Sequence, residues 1–254
     1  MRKNVLLVVL IFLICYLIYQ GIQSSKSINK TLDQGLEVIK NYTKLEEVDI
    51  GEYKKINIKN VFPFYTNAYK IENIGFLAIL SINIGISQVF SFHPSPYEKD
   101  FPILIIDYMS FFGFQQAIFE AYNTTLDKNN DLINNFIEEF EELKKSYSDL
   151  KDWEISPKWS DERIVAKMSK KGYDSKDNRF KSLFSDAIEI YMKNIMKMPK
   201  LEGDERNNKS ELIKEFAEQM AKNGGIASTI FKSSMKEEDV IKLFVNIFFG
   251  YSFK

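Results

Sequence analysis

The chain has 254 residues, 45% hydrophobic and 27% charged, with 34 Lys+Arg against 35 Asp+Glu, a formal net charge of −1, one Cys and one His. That length and apolar share suit one large domain or two small ones with a real core, and the balanced charge gives no whole-chain field for nucleic acid. A single Cys excludes an internal disulfide and any multi-cysteine zinc or iron–sulfur site, a single His excludes a paired-His metal site, and neither G-x-G-x-x-G nor a phosphate-binding G-x-x-x-x-G-K-[ST] occurs.

After Met1, Arg2 and Lys3 the stretch "NVLLVVLIFLICYLIYQGIQSS" runs for about 22 residues without a charge, long enough to cross a hydrocarbon core. Residues 1–26 are therefore a membrane anchor or a signal segment. Tyr16, Tyr19 and Gln20 at the exit, with no small-x-small triplet after them, favour an uncleaved transmembrane helix over residues 4–25. Cys15 has no small residue before it and reads as apolar filler rather than a lipoprotein signal. Arg2 and Lys3 are balanced by Lys26, Lys30, Lys40 and Lys44, so the orientation stays open.

Residues 27–52 read as a helical linker, because Ile28, Leu32, Leu36 and Ile39 recur at helical spacing between Ser27 and about Lys44. From about Tyr53 to Tyr122 come short β-branched and aromatic runs bounded by Gly, Pro, Asn or Asp, the pattern of a meandering antiparallel sheet. After Thr125 helical spacing takes over. Leu132, Phe136, Phe140 and Leu143 form one stripe, and "FKSLFSDAIEIYMKNIMKM", "KSELIKEFAEQMAKN" and "KEEDVIKLFVNIFFGY" follow. Sheet first and helices afterwards predict an α+β domain over 53–254, an antiparallel sheet covered by helices.

Two stretches carry a family resemblance. "FHPSPYEKDFPILIIDYMSFFGFQQAIFEAYNTTLD" resembles the central sheet motif of the ferredoxin-dependent bilin reductases, with Pro102, Asp107, Glu120 and Asp127 on the matching positions. "FAEQMAKNGGIASTIFKSSMKEEDVIKLFVNIFFG" is similar to their C-terminal pattern, through Phe216, Lys222, Asn223 and Phe248-Phe249, with "SPKWSDERI" in place of a short Pro-Trp segment between them. The resemblance spans about residues 50–250 in the same order and spacing. It implies an α/β/α sandwich holding an open-chain tetrapyrrole of the biliverdin kind between the sheet and the C-terminal helices. It also implies no metal or organic cofactor of the chain's own, reduced ferredoxin as the electron donor, and side chains as proton donors.

Asp107 ends the apolar run "PILII", where lost hydration raises a carboxyl pKa toward neutrality. The resemblance makes it the proton donor; otherwise it is a strand-end Asp bonded to a turn. Alternation puts it on the face of Ile103 and Ile105. The family's second proton-handling position, often His or Asn, falls on Gln88, or on Val89 if a loop gap moves by one; neither is an acid. The Glu that some members carry one strand earlier is missing from "FLAILSI". Asn223 stands where a helix breaks at Gly224-Gly225, as a C-cap or as a bilin contact. Glu120 reads as a bilin-side carboxylate or a surface strand end, and His93 as a surface residue in a loop. Lys167, Lys170, Lys171, Lys176, Arg179 and Lys181 make a basic patch for an acidic ferredoxin, or a solvated loop. Three functions follow: a divergent bilin reductase, a membrane-tethered tetrapyrrole-binding protein that has lost catalysis, or an unrelated anchored interaction domain. A plastid-type import route, with the first segment as a signal, would bring such a chain to ferredoxin.

Overall fold

A computed structural model describes residues 2–58, 62–84, 87–111, 113–127, 130–153, 162–224 and 226–254. It begins with one uninterrupted helix, α1 (Arg2–Tyr42), in which the expected membrane segment and the first part of the expected 27–52 linker are a single element, while residues 45–47 of that linker form a strand. Residues 27–42 are not a free linker, since Ile28 and Ile39 lie in the core. Gly35 makes that packing possible, because a Cβ there would stand 2.3 Å from the Phe184 ring.

The strands are β1 (Leu45–Glu47), β2 (Lys55–Ile58), β3 (Phe62–Ile71), β4 (Gly75–Ile84), β5 (Ser87–Ser95), β6 (Ile103–Phe111), β7 (Phe114–Tyr122), β8 (Lys151–Asp152) and β9 (Ile164–Tyr173). They pair antiparallel in one sheet ordered β1-β3-β4-β5-β6-β7-β9-β8, with β2 also on β3. The consecutive hairpins from β3 to β7 are the expected meander. The sheet then goes further than expected, because β9 pairs with β7 from Phe114↔Tyr173 to Tyr122↔Ile164. The "KMSKKGY" end of β9 had the look of a solvated loop because lysines fall on both faces of the strand.

The remaining helices are α2 (Asp131–Ser146), α3 (Asp177–Ile195), α4 (Gly203–Asn223), α5 (Ile226–Lys232) and α6 (Glu237–Leu243), the last running into a π turn at Phe244–Phe248. Asn130 starts α2 by accepting a hydrogen bond from the Leu132 amide. Period-2 alternation divides the sheet side chains between two helical layers. Phe90, Phe92, Leu104, Ile106, Tyr108 and Phe119 meet α1, α2 and α3. On the other face Phe64, Phe76, Ile103, Ile105 and Tyr122 meet α4, α5, α6 and the π turn. Each such side chain contributes roughly 1.5–3 kcal/mol by leaving water, and together they make the α/β/α sandwich. The Lys209 ammonium ties α4 down, donating to the carbonyls of Phe101 and Thr124, each at 2.7 Å, while burial lowers its pKa to about 7.

The second layer covers only part of its face. Along β6, Ile103 and Ile105 are buried, Asp107 is exposed, Met109 is half-buried and Phe111 is exposed. On β7 Tyr122 is buried while Glu120, Ile118 and Gln116 are half-buried, and on β5 His93 is buried while Ser91 and Val89 are half-buried. Across β5, β6 and β7 the C-terminal helices thus roof one end of the sheet and leave a ledge at the other, whereas on β3 the cover extends to Phe64.

Candidate functional site

Asp107 sits at the edge of the roof, where the covered part of the sheet gives way to the ledge. Its strand position follows from alternation, which puts it on the face of Ile103 and Ile105 as expected. Across the sheet it pairs with Ser91 on β5 and Ile118 on β7. Asp107 as a residue is exposed, while the protein around its carboxyl group displaces water from it. Lost hydration raises its pKa to about 6, the Ser91 hydroxyl that donates to it pulls the other way, and the negative Glu120 nearby adds to the rise. A carboxyl of that kind still carries a proton close to neutral pH.

The Ser91 hydroxyl also meets His93 Nε2 at 2.6 Å, so carboxyl, hydroxyl and imidazole form one chain. His93 is not the surface loop residue expected. It lies in β5, is 6% exposed and stacks on Phe249 with ring centroids 5.5 Å apart. Burial lowers its pKa to about 3, which keeps the imidazole neutral. Its Nδ1 is buried with no hydrogen-bond partner among the described residues. Two arrangements with a neutral imidazole fit this chain. With Asp107 ionised, Ser91 donates to it and accepts from Nε2–H. With Asp107 protonated, Ser91 turns to donate to Nε2 and the imidazole proton resides on Nδ1. The sequence carried a signal for this pair: "VFSFH" alternates, so Ser91 and His93 had to share the face opposite Phe90 and Phe92.

Glu120 occupies the same face as Asp107, one diagonal step away on β7. Its carboxylate accepts from Tyr122 Oη at 2.7 Å and pairs with Lys167 at 2.8 Å. Gln88 does not join them. The same alternation that brings Ser91 to Asp107 sends Gln88 to the opposite face, where it is 4% exposed and its Nε2 has no partner among the described residues. Val89, the other candidate for that position, is on Asp107's face and pairs with Met109. Asn223 is exposed at the last residue of α4, in the layer that roofs this face. Gly224 after it is extended, φ −75° and ψ 149°, rather than left-handed. Glycine is needed there for closeness, since a Cβ would lie 2.4 Å from the Met220 carbonyl oxygen. Phe216, Phe248 and Phe249 are buried in the same roof. The Pro-Trp segment of "SPKWSDERI" falls mostly on residues outside those described.

The six basic residues do not form one patch. Lys170 is 1% exposed on the face opposite Lys167 and bonds to Asp152 at 2.8 Å. Lys176 and Arg179 both hold Asp149, and Lys181 holds Asp177. Lys167 and Lys171 share one face of β9, Lys170 is buried on the other, and Lys176, Arg179 and Lys181 belong to the turn and helix that follow, so the six do not make a single docking field. Two concavities of about 520 and 380 Å³ lie along α4, lined by groups such as Leu126 and Glu215 in the first and Thr125 and Arg163 in the second, away from Asp107.

No family model matches the chain, and no curated protein matches it in sequence. Among solved structures it is similar to phytochromobilin synthase from tomato, determined in complex with biliverdin. The TM-score is 0.69 at 13% identity, covering 88% of this chain and 83% of that one. The chain shares the fold of that synthase. At this identity the likeness concerns the path of the backbone, and the chemistry has to be argued from the ledge itself.

Proposed function

We propose that this chain binds an open-chain tetrapyrrole of the biliverdin kind on the ledge beside Asp107 and reduces it with electrons from reduced ferredoxin. The observation that carries the reading is a carboxyl group with a pKa raised to about 6, placed at the mouth of the partly roofed face of a sheet whose fold matches a biliverdin-complexed synthase. A flat, largely apolar ligand with pyrrole N–H donors suits such a ledge. Half-buried Ile118, Met109 and Val89 offer apolar contact, and Asp107 and Glu120 offer acceptors. Asn223 is proposed as a polar contact from the roof. Gln88 has no part in this site.

Reduction of one carbon–carbon double bond takes two electrons, one from each of two reduced ferredoxins, and two protons. In this reading Asp107 delivers one proton to the bilin radical formed by the first electron, which leaves Asp107 ionised and hydrogen-bonded by Ser91. The carboxylate is then reloaded from solvent at the open side of the ledge and delivers the second proton. His93 stays neutral throughout, because burial lowers its pKa to about 3, so the chain never places a cation in the buried core. The outer part of α1, the portion of the 4–25 segment before about Gly21, is proposed to hold the enzyme at a membrane.

The test is to titrate the purified full chain with biliverdin and follow the absorption spectrum. A saturable red or blue shift at one equivalent is expected, followed by loss of the biliverdin bands when reduced ferredoxin is added. No shift would overturn the reading. A shift without turnover would leave a tetrapyrrole-binding protein and remove the enzymatic part.

A further inference from the structure

We propose that the end of the sheet bearing Phe111, Phe114 and Tyr173 rests in the headgroup layer of a lipid bilayer, as a second membrane contact beside α1. This rests on reading the outer half of α1 as a membrane anchor. Among the described residues, Val9, Leu10, Ile11, Phe12, Leu13 and Ile14 are 47–71% exposed, which water alone would not favour. Going toward the N-terminus, Ser24 and Gly21 are the last buried residues, so α1 leaves the domain at about Gly21.

Hydrogen bonds fix what stands beside that exit. Asp177, at the start of α3, accepts from Ser27 of α1 and from Gln115 of β7, the latter at 2.9 Å. Gln115 pairs with Ser110, one step from the end of the β6–β7 hairpin, where Phe111 pairs with Phe114. The hairpin therefore reaches about 7 Å beyond Gln115, roughly two strand residues. The same distance along α1 is about five residues, which brings the hairpin end level with residues 22–23. That is where the uncharged run ends, just short of Lys26.

The chemistry of this end matches its position. Phe111 is 43% and Tyr173 70% exposed, and Phe114 packs edge-on against Tyr173 with centroids 5.6 Å apart. Outside α1 the described residues include five exposed large apolar side chains. Phe111 and Tyr173 are at this end of the sheet, while Tyr65, level with Tyr108, and Leu126 and Met196 lie elsewhere. Hairpin ends in water usually carry Asn, Asp and Gly. The turn keeps a Gly113 with φ 77°, but Phe111 and Phe114, which flank it, are aromatic. Aromatic rings at the level where an apolar helix enters lipid are favoured by membrane–water interfaces. The occupant the observations select is a lipid surface rather than a protein, because the rings, on the sheet face opposite α1, stand at the end of the sheet where the exposed apolar half of that helix leaves the domain.

The experiment uses the full chain in phosphatidylcholine/phosphatidylglycerol vesicles, in a Cys15→Ser background that removes the only native thiol. An environment-sensitive fluorophore is attached to Phe111→Cys, Tyr173→Cys, Leu13→Cys or Asn207→Cys, one at a time. Asn207 is exposed on α4, near the opposite end of the sheet. Lipids carrying a spin label near the headgroup are expected to quench positions 111 and 173 several-fold more than position 207, with a blue-shifted emission at both. Position 13 is expected to respond to a spin label deep in the acyl chains. Quenching at 13 with 111 and 173 no different from 207 overturns the second contact and leaves the anchor standing. No quenching at 13 overturns the anchor and the inference with it. Tyr173→Cys, at a highly exposed site, keeps the test decisive if Phe111→Cys fails to fold.

Discussion

A carboxyl and an imidazole joined through one hydroxyl make the ledge sensitive to pH in two separable ways. Proton delivery by Asp107 requires its acid form, so turnover should fall as pH rises through about 6, the value set by lost hydration. Glu120→Gln removes a neighbouring negative charge and should move that break to lower pH in a pH–rate profile of biliverdin reduction. Asp107→Asn should keep the biliverdin-induced spectral shift and slow reduction by roughly 10²–10⁴-fold, the usual worth of a positioned acid. Unchanged turnover in Asp107→Asn would remove the assignment.

His93 supplies the second effect. Its folded pKa of about 3 is below the ordinary 6.5, so between those values the unfolded chain binds more protons than the folded one. Stability is then full above pH 6.5 and lost as pH falls, by about 1.4 kcal/mol per pH unit. His93→Gln has nothing to titrate, and denaturant unfolding at pH 7 and pH 5 should show a smaller acid loss than the parent. Asp107 has the opposite sign. Its folded pKa is raised, so its contribution is present below pH 3.8 and lost as pH rises to about 6, by no more than about 1 kcal/mol after solvent screening. At this scale the sequence revealed the face of Asp107, because side chains in a strand alternate and Asp107 stands two and four residues after Ile105 and Ile103. It did not reveal His93, because Pro94 suggested a loop although β5 runs on to Ser95.

Among the elements, α1 and β9 departed most from their sequence patterns. Charge marks the end of an apolar run but cannot show whether a helix stops there, and nothing between Arg2 and Tyr42 forces it to stop. Ile28 and Ile39 are consequently core residues of a domain expected to begin at 53. In β9 the lysines on both faces hid the period, since Lys167 is held by Glu120 and Lys170 by Asp152. The fit of α1 on α3 can be probed at Gly35. Alanine there gains about 1 kcal/mol of helix propensity, but its Cβ would meet Phe184 at 2.3 Å and Ile188 at 2.7 Å. Overpacking costs roughly 1–3 kcal/mol, so Gly35→Ala should lower the thermal midpoint rather than raise it.

For the molecule as a whole, the expected antiparallel sheet with a helical layer on each face is present, read correctly because hairpin-length runs gave way to helical periods near Thr125. The incomplete roof that opens the ledge was not legible, because burial of a face depends on where distant helices end. Truncation separates the two roles of α1. Removing residues 1–20 should leave a cooperatively folding domain, since the described side chains in that stretch are exposed or half-buried. Removing residues 1–42 takes away Ile28 and Ile39, each worth roughly 1.5–3 kcal/mol, and uncovers part of α3. Circular dichroism melts should show a cooperative transition for the first and its loss for the second.

The unbroken α1 also has a mechanical consequence. A flexible tether would let the domain tumble above its anchor, whereas 41 helical residues make a lever about 60 Å long with its inner arm clamped in the core. With the outer arm in a bilayer, any lean of that arm becomes a lean of the entire sheet. Bilayers of different thickness tilt a spanning helix by different amounts. Lipid composition would therefore set the angle at which the ledge meets a molecule arriving from solution, and the domain would work at a fixed attitude rather than on a swivel.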